Sequence, residues 1–270
     1  MKLLKVISLF LILLYPAIAF SLDEAKFQNL IASIRNKEYG PVKKFLNDNK
    51  QKLSRDPEYY VILLNYVSFK GHESLNVIAA GTPTEGDLEL RDVDNGEVIG
   101  FVGSRERYDE ALIVDGIKRT QTAQKYFRSR LDIYFGIVGI AERIQRWDIV
   151  GEELVAILET SRKIDNKWTW GSINSMEGDP EEFMIQNILP RTYSLFHAET
   201  PEADEVLMKV SQAMIMHYPK KIYGYANLGA LYLAKNDYDS AEKYFRQALN
   251  VDPKDEVVLA NLEELKRLRK

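Results

Sequence analysis

The chain has 270 residues, 46% of them hydrophobic and 28% charged, with no cysteine and a formal net charge of −4. Such a composition is ordinary for a globular protein of one or two domains. It excludes disulfides, thiolate metal sites and a cysteine nucleophile, and it argues against a nucleic-acid partner held by phosphate neutralisation.

Residues 1–19 read as a signal peptide. Lys2 and Lys5 precede the apolar run 6–15, and Ala17-Ile18-Ala19 has the small-x-small form of a cleavage site. The run is short for a membrane span. Cleavage starts the mature chain at Phe20, and loss of the two lysines takes the net charge from −4 to −6. No later stretch is long and apolar enough to span a membrane, so the expectation is an exported protein, periplasmic or extracellular.

Residues 20–70 read as helical hairpins. Phe27, Leu30, Ile31 and Ile34 have helical spacing over 23–35, Pro41 opens a second helix over 42–53, and Asp56-Pro57-Glu58 starts a third over 59–70. Residues 71–104 break the pattern with repeated Gly and Pro. Two short runs, 88–93 and 97–102, flank Asp94-Asn95-Gly96, which predicts an inserted β-hairpin with 76–79 as a candidate third strand. Asp92, Asp94 and Asn95 fit that turn better than a calcium loop, which needs a correctly spaced Glu.

Residues 105–180 return to helix over 106–125. A degenerate repeat follows over 131–162, with Tyr134 and Ile137 on its first helix, Trp147 at the turn, and Val150, Leu154 and Ile157 on its second. A loop over 163–180 then carries Trp168-Thr169-Trp170. In an extended loop the two indoles share a side and could stack on a sugar or grip a peptide; packing beneath the loop is the competing reading and the favoured one. Residues 181–270 begin with Asp179 as N-cap, Pro180 and two glutamates, giving helices over 182–197 and 203–217. Residues 256–270 form an amphipathic capping helix rich in Lys and Arg at its end.

Residues 222–255 carry the most specific signal. Leu228, Gly229, Tyr232, Ala241, Phe245, Ala248 and Pro253 fill seven of eight signature positions of a 34-residue helix-turn-helix unit, and Tyr225 keeps an aromatic at the eighth. The segment resembles a tetratricopeptide repeat. Pro219 precedes Pro253 by 34 residues, which sets the preceding hairpin in phase with it. The segments 130–136, 168–170, 180–183 and 218–219 also resemble, in order, a group of exported repeat proteins; that likeness implies architecture and export and carries no activity. The fold expected is all-α: an irregular array of antiparallel helical hairpins, a tetratricopeptide-like α-solenoid, with a small inserted β-hairpin.

The resemblance implies a non-catalytic scaffold for a protein or peptide. Family groove positions fall on Tyr223, Ala226, Asn227, Ala230, Leu233 and Ala234. Only Asn227 suits a clamp for a peptide carboxylate, so a groove of Tyr, Ala and Leu suits an apolar or helical segment instead. The alternative is a glycan- or solute-binding protein using Trp168 and Trp170. No nucleophile elbow, zinc-protease or phosphate-loop motif is present, and His72, His197 and His217 lack a ligand at helical spacing. The sequence therefore points to no enzyme, no cofactor and no metal.

Overall fold

The structure, a computed structural model, describes residues 22–83, 86–171 and 178–269; the leader expected at 1–19 lies outside the described residues. Helical hairpins follow one another along the chain. They pair α1 (Glu24–Arg35) with α2 (Tyr39–Asn49), α3 (Pro57–Lys70) with α4 (Glu110–Ala123), and α5 (Leu131–Arg143) with α6 (Trp147–Lys163). Then come α7 (Pro180–His197) with α8 (Pro201–His217), α9 (Tyr223–Ala234) with α10 (Tyr238–Val251), and a closing helix α11 (Glu256–Leu268). The fold is the expected all-α array with a β insertion.

Starts are set locally by side chains. Asp56, Asp109, Asp179, Asp237 and Asp255 each accept a backbone N–H from the first turn that follows them, satisfying a donor the helix itself cannot. Three turns share one geometry. Lys37, Gln145 and Asn236 lie in the left-handed region at φ 62°, 55° and 59°. The next residue's N–H then reaches back across the helix end: Glu38 to the Ser33 carbonyl at 2.8 Å, Arg146 to Ala141 at 2.9 Å, and Asp237 to Tyr232 at 2.9 Å. In each case an aromatic opens the second helix: Tyr39, Trp147 or Tyr238.

The α3–α4 pair has a sheet spliced into its turn. Strands β1 (His72–Ala79), β2 (Leu88–Arg91) and β3 (Val98–Tyr108) pair antiparallel in the order β1-β3-β2. The Asp109 N–H donates to the Gly71 carbonyl at 2.7 Å, so the chain leaves and rejoins the helical array at adjacent points. A Cβ on Gly71 would sit 2.7 Å from the Val67 carbonyl oxygen and 2.9 Å from Ile113, which requires glycine there. The expected hairpin is present, and Asp92 Oδ1 accepts from the Asp94 and Asn95 N–H groups at 2.8 and 3.2 Å, using its carboxylate inside the turn. The expected third strand, 76–79, is the end of the longer β1.

Three boundaries are corrected. The sheet ends at Tyr108 rather than 104, because residues 104–108 pair with 72–76. The following helix begins at Glu110 rather than 106, because Asp109 caps it, accepting from the Leu112 N–H at 3.0 Å. The second helix runs from Tyr39 to Asn49, not over 42–53, so Pro41 lies within its first turn.

One apolar core runs from α1 through α8, and a second lies on α10 and α11 around Ala241, Phe245, Ala248, Val258, Leu262 and Leu265, with α9 between them. Gly229 lets α9 approach Phe245: a Cβ there would lie 2.5 Å from two atoms of the ring. No helix among the described residues is long and apolar enough to cross a membrane.

Candidate functional site

The first helices of the second and third hairpins run side by side in the same direction. At one end Arg130, before α5, donates to both oxygens of Asp132 at 2.9 and 2.8 Å and to Glu58 of α3 at 2.5 Å. At the other end Arg143 Nη1 reaches the Ser68 hydroxyl at 3.4 Å. Burial pushes the Glu58 carboxyl above its usual range, and Arg130 only partly offsets this. The Arg130 cluster is therefore a structural clamp in which one guanidinium holds two carboxylates.

The third and fourth hairpins sit differently. Helix α6 packs along α8, whereas α5 and α7 are bridged by side chains. Trp170 joins them at one end, its ring 6.4 Å from Phe135 and 5.2 Å from Phe183. Arg191 joins them at the other, 2.7 Å from Glu142. A crevice of about 340 Å³ opens between α3, α5 and α7. Leu64, Phe69, Phe135 and Ile140 supply apolar wall, and Arg143 and Arg191 stand at its charged end. Its floor is bare helix: a Cβ on Gly139 would meet nothing within 4 Å, and one on Gly136 only the Leu64 methyl at 3.7 Å.

Within this charged end, burial raises the Glu142 carboxyl above its usual range, with Arg191 pulling the other way. Glu142 Oε1 and Arg191 Nε are both buried without a partner. Asp132, which also lines the crevice, is occupied by Arg130. What the arrangement offers is an apolar trough with guanidinium donors at one end.

The residues expected from sequence are distributed unevenly. Thr169 is tied down, its N–H donating to the Ser129 carbonyl at 2.7 Å and its carbonyl accepting from Leu131 at 3.0 Å. Both indoles lean on α5, but Trp168 is 1% exposed, edge-on to Tyr134, while Trp170 is 43% exposed. A two-tryptophan platform for a sugar is therefore not formed: Trp168 belongs to the core, and Trp170 leans on Phe135, a residue of the crevice wall. On α9, Tyr223 packs against the main core, and Ala226, Ala230 and Leu233 pack partly against the C-terminal one. Asn227 is partly buried, and its Nδ2 has no partner.

The histidines lie apart. His72 pairs with Glu106 and stacks on Tyr108, His197 stacks on Tyr193, and His217 is in the last turn of α8. Among the described residues no group of three His, Asp or Glu side chains could hold a metal ion.

Phe135, Gly139, Arg143, Phe183 and Arg191 were not singled out by sequence reasoning. A signal was available: phenylalanine precedes arginine by eight positions on both α5 and α7. Residues 222–255 match the model of the tetratricopeptide repeat family. No curated protein matches the chain. The chain carries a tetratricopeptide repeat within a helical-hairpin array, a framework that serves protein–protein interaction.

Proposed function

We propose that the chain is an exported, non-catalytic scaffold that holds a protein or peptide partner in the groove along the first helices of its hairpins. One observation carries the reading: α3, α5 and α7 leave an open, glycine-floored crevice on an array whose C-terminal unit is a tetratricopeptide repeat. Helix α7 packs on α9, and the groove positions expected from sequence there, Tyr223, Asn227, Ala230 and Leu233, are assigned to the same partner as part of this proposal. Export rests on the basic, apolar and small-x-small order of residues 1–19.

The test uses the immobilised chain from Phe20 onward and an envelope extract of the source cells, with retained proteins identified by mass spectrometry. A Gly139→Leu variant, checked for folding by circular dichroism, projects a side chain into the crevice from a position whose Cβ meets nothing within 4 Å. A partner retained by the native chain and lost with Gly139→Leu supports the groove. Equal retention by both removes it.

A further inference from the structure

The paired spacing on α5 and α7 has a geometric meaning. Phe135 and Arg143 are eight residues apart on one helix, and Phe183 and Arg191 are eight apart on the other. Eight helical residues rise about 12 Å. Trp170 ties the two phenylalanines together and Glu142 ties Arg191 to α5, so the two helices present these groups in step. The crevice thus has Phe135 toward one end, with Trp170 and Phe183 beside it, and two guanidiniums at the other, with Gly136 and Gly139 leaving bare helix between them. An extended chain covers about 12 Å in three or four residues.

Charge favours one kind of occupant. The whole chain carries −4, yet Arg143 and Arg191 stand together at this end beside Glu142, while Asp132, at the far end, shares Arg130 with Glu58. Arg143 makes a single long hydrogen bond among the described residues, to a neutral hydroxyl, which leaves most of its donors for a carboxylate. At the other end Trp170 and Phe183 are 43% and 36% exposed, offering ring faces and edges that a large apolar side chain would cover.

Resting on the scaffold reading, we infer that this crevice takes an extended peptide segment carrying a large apolar side chain and, four residues along and so on the same face, a carboxylate. Trp170, Phe135 and Phe183 receive the apolar side chain. Arg143, supported by Arg191, receives the carboxylate.

Fluorescence anisotropy tests this with two labelled peptides, Gly-Ser-Phe-Ala-Ala-Ala-Glu-Ser-Gly, whose Phe and Glu share a face when extended, and its counterpart with Gln in place of Glu. The Glu peptide binds the full chain about tenfold more tightly, and added salt narrows the gap. Arg143→Gln, an exposed change that leaves the core intact, erases the difference. Trp170→Ala weakens both peptides by a similar factor. The inference is overturned if the native chain binds the two peptides equally or binds neither, or if Arg143→Gln leaves their ratio unchanged. If a protein partner is nevertheless captured and then lost with Gly139→Leu, the scaffold stands and only this ligand chemistry falls.

Discussion

Gly229 and Gly139 are both helical glycines facing opposite situations, and substituting alanine at each separates two effects that oppose one another. In an exposed helix interior, Gly→Ala favours the helix by about 0.8–1 kcal/mol. At Gly139 nothing lies within 4 Å of the new methyl, so Gly139→Ala gains about 0.5–1 kcal/mol. At Gly229 the methyl would lie 2.5 Å from two ring atoms of Phe245, which is fully buried and cannot swing aside. Overpacking of that kind costs about 1–3 kcal/mol, so the net effect of Gly229→Ala is a loss of about 0.5–2 kcal/mol, the propensity gain subtracted. At about 2–4 °C per kcal/mol for a chain near this size, thermal melts followed by far-UV circular dichroism resolve both signs. Because Phe245 anchors the second core, hydrogen exchange in the Gly229 variant should rise mainly in α10 and α11. A Gly229→Ala protein as stable as the native chain, or a Gly139→Ala protein destabilised as much, would refute the packing account.

The shared turn, the tryptophans and a buried carboxylate give further expectations. Gln145 occupies a left-handed conformation that suits glycine, so Gln145→Gly should stabilise by about 0.5–1 kcal/mol in denaturant melts, and a loss would speak against that turn geometry. Trp168→Ala should cost about 3–5 kcal/mol through its cavity, whereas Trp170→Ala should cost well under that, since it is 43% exposed. Glu153 is 2% exposed, and its carboxylate is met by the amides of Gln121 and Gln124 at 2.8 and 2.9 Å. Burial pushes that carboxyl above its ordinary 4.5. Its folded state therefore keeps a proton that the unfolded chain releases, so this group favours folding less as pH rises from 4.5 toward the folded value. Glu153→Gln should flatten that fall in denaturation curves taken across the window; an unchanged pH profile would assign the fall elsewhere.

Much of the helical array was legible because its signals are local. Asp-Pro-Glu at residues 56–58 and 179–181 sets two helix starts through capping, and the Gly229–Phe245 approach is written into the repeat signature. Strand ends were less legible, since residues 104–108 join the sheet by pairing with residues 72–76, a segment distant in sequence. The equivalence of the first and third hairpins was hidden for another reason. Lys37 and Gln145 adopt a conformation that their side chains do not advertise, unlike Asn236. The crevice was least visible. It lies between α3, α5 and α7, a tertiary arrangement, and its floor consists of the absence of side chains at Gly136 and Gly139. The tryptophan pair shows the same limit: spacing places both indoles toward α5, and only packing decides that one of them is covered.

The central claim is that partners dock along the first helices, and site-specific photocrosslinking tests it most directly. A photoreactive residue would be placed at Gly139 or Asn227 on that face, and at Thr122 or Lys243, exposed on the second helices α4 and α10. Illumination in an envelope extract should yield one crosslinked partner from Gly139 and Asn227 and none from Thr122 and Lys243. Crosslinking confined to Thr122 and Lys243 would place the partner on the opposite face and contradict the account.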